Sequence, residues 1–171
     1  MSIIELLRLR IQDSNHATDM AHHISPKVFP PTTMKSVESA ESKLGFILPS
    51  LLRDIYTQVA NGGFGPGYGL IGLDDGAHDD LGKSITDLYL LYKQDDPQDH
   101  LWHWPDRLVP ICHWGCAIYS CIDCSQLTAP MINFDPNHYE EGISWDKAFI
   151  PQRASFNKWF EGWLNGEKLW I

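Results

Sequence analysis

Apolar and polar positions fall into two rhythms along this chain, a helical one towards both ends and a strand-like one in the middle. Ile3, Ile4, Leu6, Leu7, Leu9 and Ile11, with Glu5, Arg8 and Arg10 between them, predict a helix that ends near Asp13. Residues 14–31 carry His16, His22, His23, Pro26, Pro30 and Pro31, and read as a loop. Thr32 or Thr33 can cap a helix in which Met34, Val37, Ala40, Glu41 and Leu44 share a side. Gly45 closes it, since glycine reaches a positive φ without steric cost. Pro49 and Ser50 are expected to open the next helix, proline in the first turn and serine as the cap. Leu51, Leu52, Ile55, Tyr56 and Val59 then repeat as one buried face, and Asn61-Gly62-Gly63 is expected to stop it.

Tyr68 to Leu73 reads as a strand, followed by an acidic surface loop, Asp74-Asp75-Gly76-Ala77-His78-Asp79-Asp80. Ser84 and Asp87 form a capping box for a helix carrying Ile85, Leu88, Tyr89, Leu91 and Tyr92. A second acidic loop, Asp95-Asp96-Pro97-Gln98-Asp99, ends that helix. Leu108 to Cys112 and Ala117 to Ile122 predict two strands joined by a turn at Trp114-Gly115. Met131 to Phe134 is a third strand, stopped by Asp135-Pro136, and Ile143 to Ile150 a candidate edge strand. The last helix is the clearest: Ser155 caps it, Phe156, Trp159, Phe160, Trp163 and Leu164 repeat at helical spacing, and Asn165-Gly166 stops it. Strands in the middle and helices at both ends predict an α+β fold, one domain over residues 1–171. Its mainly antiparallel central sheet would be covered by helices from both ends of the chain, chiefly on one side.

The order of these features resembles the SUKH superfamily, in its Smi/Knr branch of bacterial toxin-immunity proteins and fungal cell-wall assembly regulators. The likeness is carried by Leu44-Gly45, by Leu48-Pro49 after it, by the amphipathic helix, and by the Asn61-Gly62-Gly63 exit. Trp104-Pro105, the strands from Leu108 to Phe134 and the closing helix extend it over about 34–166. The histidine- and proline-bearing lead-in, residues 1–33, and the cysteine-rich hairpin depart from it. The resemblance implies a non-enzymatic binding protein that neutralises a cognate basic toxin, often a nuclease encoded nearby, by occluding it. It also implies an alternative, a regulatory or scaffold domain of the same fold.

Charge narrows the partners. A formal net charge of −9 opposes non-specific binding to nucleic acid or to an anionic membrane and permits a basic protein partner. With 171 residues, 43% of them hydrophobic, the chain can bury about 70% of its unfolded surface. No apolar run approaches the roughly 20 residues of a membrane span, and charge interrupts the N-terminus too early for a signal peptide. The expectation is a cytoplasmic monomer or weak homodimer with reduced cysteines.

Candidate chemistry is sparse. Cys112, Cys116, Cys121 and Cys124, beside His113, invite a zinc reading, with a small zinc or thiol enzyme as the function that would follow. Only Cys121 and Cys124 have a knuckle's two-residue gap, and a turn at Trp114-Gly115 would set Cys121 about 13 Å beyond the residue opposite Cys112. Small apolar fillers of a sheet account for them better, and no metal or cofactor is expected. Gly65-Pro66-Gly67-Tyr68-Gly69 follows a helix and precedes a strand, the reverse of a phosphate loop, and reads as a turn. His100 and His103 near Asp96 and Asp99 have the helical spacing of metal ligands, but Trp102, Trp104 and Pro105 beside them suggest an irregular segment, and the histidines read as structural or surface residues. No serine, cysteine or lysine sits where activation is predicted, so no catalytic residue is expected. The acidic loops remain as candidate partner-binding residues: Asp74, Asp75, Asp79 and Asp80 in the first, Asp95, Asp96 and Asp99 in the second.

Overall fold

The computed structural model describes residues 1–170. Helix α1, Ile3–Arg10, starts with a capping box in which Ser2 and Glu5 serve each other's amides, at 3.3 and 2.6 Å. Residues 11–33 contain one 3-10 turn, Ser14–His16, and otherwise irregular chain, as their prolines predict. Thr33 caps α2, Met34–Leu44, by accepting from the Ser36 amide, and Gly45 ends it at φ +83. Val37, Ala40 and Leu44 face the core while Met34 stays exposed.

Helix α3, Ser50–Gln58, begins differently from the expectation. Pro49 is the residue before the helix and Ser50 lies inside it, without a side-chain cap. Pinning comes from α2 instead: Glu41 accepts from the Leu48 amide at 2.8 Å and pairs with Arg53 at 3.2 Å. The far end also differs. The helix stops at Gln58 with Val59 still right-handed, so Asn61-Gly62-Gly63 is not its terminator but a junction beyond it. Asn61, only 1% exposed, makes that junction. Its Oδ1 accepts from the Leu73 amide and its Nδ2 donates to Asp75, both at 2.8 Å. Its backbone carbonyl accepts from Ala77, and its own amide reaches the carbonyls of Phe29 and Pro30. One buried residue, by side chain and backbone together, thus ties the end of α3 to the lead-in at Phe29 and Pro30 and to the loop from Leu73 to Ala77.

Tyr68 to Leu73 is not a regular strand. It runs beside the sheet edge, with the Ile71 amide donating to Ile111 at 2.8 Å and Leu70 bridging Cys112. Gly67 and Gly69, at φ +57 and +102, break the extended run that a strand would need. Helix α4, Ile85–Tyr92, has the predicted Ser84–Asp87 capping box.

The sheet is an antiparallel meander, β1 (Leu108–Gly115), β2 (Ile118–Asp123), β3 (Met131–Phe134) and β4 (Phe149–Arg153), in the order β1-β2-β3-β4. Its first turn is Cys116-Ala117, two residues later than expected, and both take positive φ, +53 and +60. The register shift brings Cys112 opposite Ser120 and Cys121 opposite Pro110, so the two cysteines lie on neighbouring strands instead of far apart. The edge strand β4 begins only at Phe149; the stretch before it turns through a 3-10 segment, Asp146–Ala148. Helix α5, Phe156–Leu164, is capped by Ser155 as predicted, and Gly166 follows at φ +79.

One-sided covering does not hold. Ile118 to Ile122 are all buried, and successive strand residues point to opposite faces, so both faces of β2 are covered. On one face Tyr119, Phe134 and Phe149 align across the strands beneath Trp104 and Tyr92, with ring centroids 4.6–5.9 Å apart for Trp104–Tyr92, Trp104–Phe134, Trp104–Phe149 and Tyr92–Tyr119. One cluster of buried side chains extends from Leu7 to Leu169.

Candidate acidic and aromatic interface

The first acidic loop is largely committed to the fold. Asp74 pairs with Lys43 and accepts from Ser84, and both contacts hold its carboxyl below the ordinary carboxylate range, the Lys43 bond most. Asp75 accepts from Thr32 at 2.9 Å and from Asn61. Asp79 is 7% exposed: one oxygen takes the amides of Leu81 and Lys83, the other the Tyr119 hydroxyl at 2.9 Å. Burial raises the Tyr119 phenol's pKa, so it stays protonated and donates. Asp80 is exposed, and among the described residues no ion pair or hydrogen bond engages its carboxylate.

The second loop, between α4 and β1, is more open. Asp95 and Asp96 are exposed, and Asp96 accepts from the Gln98 amide. Asp99 accepts from the Trp145 indole at 2.8 Å and the Leu101 amide at 2.9 Å, which together hold its carboxyl below its usual range. That indole belongs to the β3–β4 connection, residues 135–148, which the sequence reading left out of the site. Trp145 stacks on Tyr139, with centroids 4.0 Å apart, and meets Trp102 edge-on at 4.8 Å. Glu140, Glu141 and Asp146 are exposed on the same connection, with Lys147 paired to Glu140. Two loops about 40 residues apart thus form one surface of carboxylates and half-buried rings. A local signal existed: Asp135, Glu140, Glu141 and Asp146 crowd around Tyr139 and Trp145 in 12 residues. The partner loop could not be read from spacing.

The thiols offer little chemistry. Cys112 and Cys121 are fully buried, and desolvation pushes both thiols well up; burial pushes Cys124 up to about 12. A thiol held protonated is a poor nucleophile and a poor metal ligand. Cys116 is exposed at the hairpin turn. Among the described residues no group of three or more histidine, cysteine, aspartate or glutamate side chains is placed to hold a metal ion. The Gly65–Gly69 loop is a turn, closed by the Gly69 amide on Pro66, and its Gly67 amide is already taken by Asp19 at 2.8 Å. A wider groove of about 780 Å³ lies between Ile47–Leu51 and Cys124–Ala129; Arg107 and Asp54 line it, its Ser125 hydroxyl donates to Asp123 at 2.5 Å, and its lining holds neither histidine nor lysine. No helix among the described residues is long and apolar enough to cross a membrane.

What the acidic and aromatic surface can do is bind. Exposed carboxylates steer a basic partner, and half-buried tryptophan and tyrosine supply contact area at low entropic cost. Comparison with known proteins matches residues 31–162 to the model of the SMI1 / KNR4 family (SUKH-1). A search of curated proteins finds no match.

Proposed function

The chain belongs to the SMI1 / KNR4 family (SUKH-1), which includes toxin immunity proteins, and from that premise we propose that it is an immunity protein acting in the cytoplasm. It neutralises a cognate basic toxin, encoded nearby, by covering the toxin's cationic active site, and performs no chemistry itself. The observation that supports this most is the Asp99–Trp145 bond, which locks two acidic loops and their rings into one preorganised surface. Asp95 and Asp96 on one loop and Glu140 and Glu141 on the other give that surface its charge. Occlusion needs a rigid body more than a reactive group, and the buried thiols and the carboxylates held by the fold agree with that.

The experiment is co-expression with the adjacent toxin gene, followed by affinity capture. Protection and a tight complex are expected, with an association rate that falls as salt is raised. Asp95→Lys with Asp96→Lys changes two exposed residues and should slow association about tenfold or more. A toxin that stays lethal beside the wild-type chain sinks the immunity reading.

A further inference from the structure

A second, smaller feature sits where the first acidic loop meets the sheet edge. Ile24, Tyr68, His78, Asp80 and His113 line a cleft of about 370 Å³. It continues, past Ile24, Tyr68, His78 and His113, into a hollow of about 260 Å³ beneath the lead-in. The Tyr68 and His113 rings lie parallel, their centroids 5.0 Å apart and their planes 16° from one another. Burial lowers the pKa of His113, so its imidazole is neutral at pH 7, and its Nδ1 is buried without a hydrogen-bond partner among the described residues. Asp79, at the rim, has both oxygens occupied by the fold, whereas the Asp80 carboxylate is not engaged.

The cleft therefore offers a stacked pair of neutral rings and one unengaged carboxylate, in a chain of net charge −9. An anion would meet Asp79 and Asp80. An apolar side chain would make no use of the Asp80 carboxylate. A bare metal ion lacks a third ligand here, because among the described residues no such group of three is present. A planar cation satisfies every surface: it stacks on a ring and presents paired N–H donors to a carboxylate. We propose that this cleft receives an arginine side chain of a partner protein. Arginine is favoured over lysine because the guanidinium is flat, weakly hydrated and forked, whereas an ammonium matches only the charge. This rests on the reading of the chain as a binder of a basic protein, and adds the residue type that anchors the complex.

The test uses the full chain and a defined probe. Acetyl-Gly-Arg-Gly-amide is titrated into labelled protein while the ring signals of Tyr68 and His113 are followed by NMR; the citrulline peptide, equal in shape but uncharged, is the control. Saturable shifts at both rings are expected for the arginine peptide, with affinity about tenfold lower for citrulline and for Asp80→Asn. Asp80 is exposed, so its variant should fold, and Tyr68→Leu provides a second one that removes a stacking face. No saturable shift, an equal response to citrulline, or an unchanged affinity in both variants each overturns the proposal. Peptide binding with no protection from any toxin would remove the immunity reading and leave the cleft's chemistry standing. Protection without a peptide response would do the reverse.

Discussion

Glycine 63 shows how two separate restraints act on one residue. At φ +84 its backbone is in the left-handed region, and an added Cβ would lie 1.9 Å from the Lys27 carbonyl oxygen. Gly45 has nearly the same φ, +83, but nothing within 4 Å of that position. Gly45→Ala should therefore cost only the left-handed penalty, about 1–2 kcal/mol. Gly63→Ala must also displace backbone and should cost about 3 kcal/mol or more. Urea denaturation of the two variants separates the effects; equal costs would mean that the lead-in yields easily at Lys27. Both glycines belong to the family signature, yet only one is held by contact with the lead-in outside the matched residues.

At the scale of elements, helices were more legible than the connections between strands. Ser84 with Asp87, Ser155, Thr33 and Gly45 are local signals, and each acts within four residues of its own position, so the sequence displays them directly. The start of α3 was misread because its partner, Glu41, lies on the preceding helix and no local cap exists. The hairpin turn was misplaced because Trp114-Gly115 has the better turn composition, while the pairing of Pro110 with Cys121 and of Gly115 with Ile118 pushes the reversal onto Cys116-Ala117. In the same way Asp79 looked like one carboxylate of a solvated run, and only tertiary packing under Tyr119 makes it interior. The unfavourable turn has a measurable outcome. Two non-glycine residues at positive φ are disfavoured where Asn-Gly is preferred, so Cys116→Asn with Ala117→Gly should stabilise the chain by about 1 kcal/mol. Thermal melting checks it, and no gain would mean that the turn is already relaxed.

Across the whole molecule, acids outnumber bases 22 to 13. Among the described residues six of the bases, Lys43, Arg53, Lys93, Lys147, Arg153 and Lys158, each pair with a carboxylate, and the excess of acids sets a negative field. Apart from the half-buried Arg53–Glu41 pair, these exposed contacts add little stability, so pH acts mainly through the groups that the fold perturbs. His113 is held below its ordinary 6.5 by burial, with Asp80 and Asp79 opposing that shift. The unfolded chain binds this proton more readily than the native one, so the stability it supports is present above about pH 6.5 and declines as pH falls through that value. Asp99 follows at lower pH: its depressed carboxyl contributes above the unfolded value near 3.8, and that contribution is lost as pH falls further. Melting temperatures recorded from pH 8 to pH 3 should decline in these two windows, and His113→Gln should flatten the first. An unchanged slope near pH 6 in that variant would assign the decline to another histidine.

The Asn61 junction carries a practical consequence for anyone trimming the gene. The carbonyls that receive the Asn61 amide belong to Phe29 and Pro30, and the Phe29 amide in turn reaches Gly62. Further back, Asp19 holds both the Gly67 amide and the Trp163 indole. A fragment cut at residue 31, where the family match begins, would carry every signature residue and still lack the pieces that clasp them. The family match covers residues 31–162; contacts that clasp them come from residues before it, Asp19 among them.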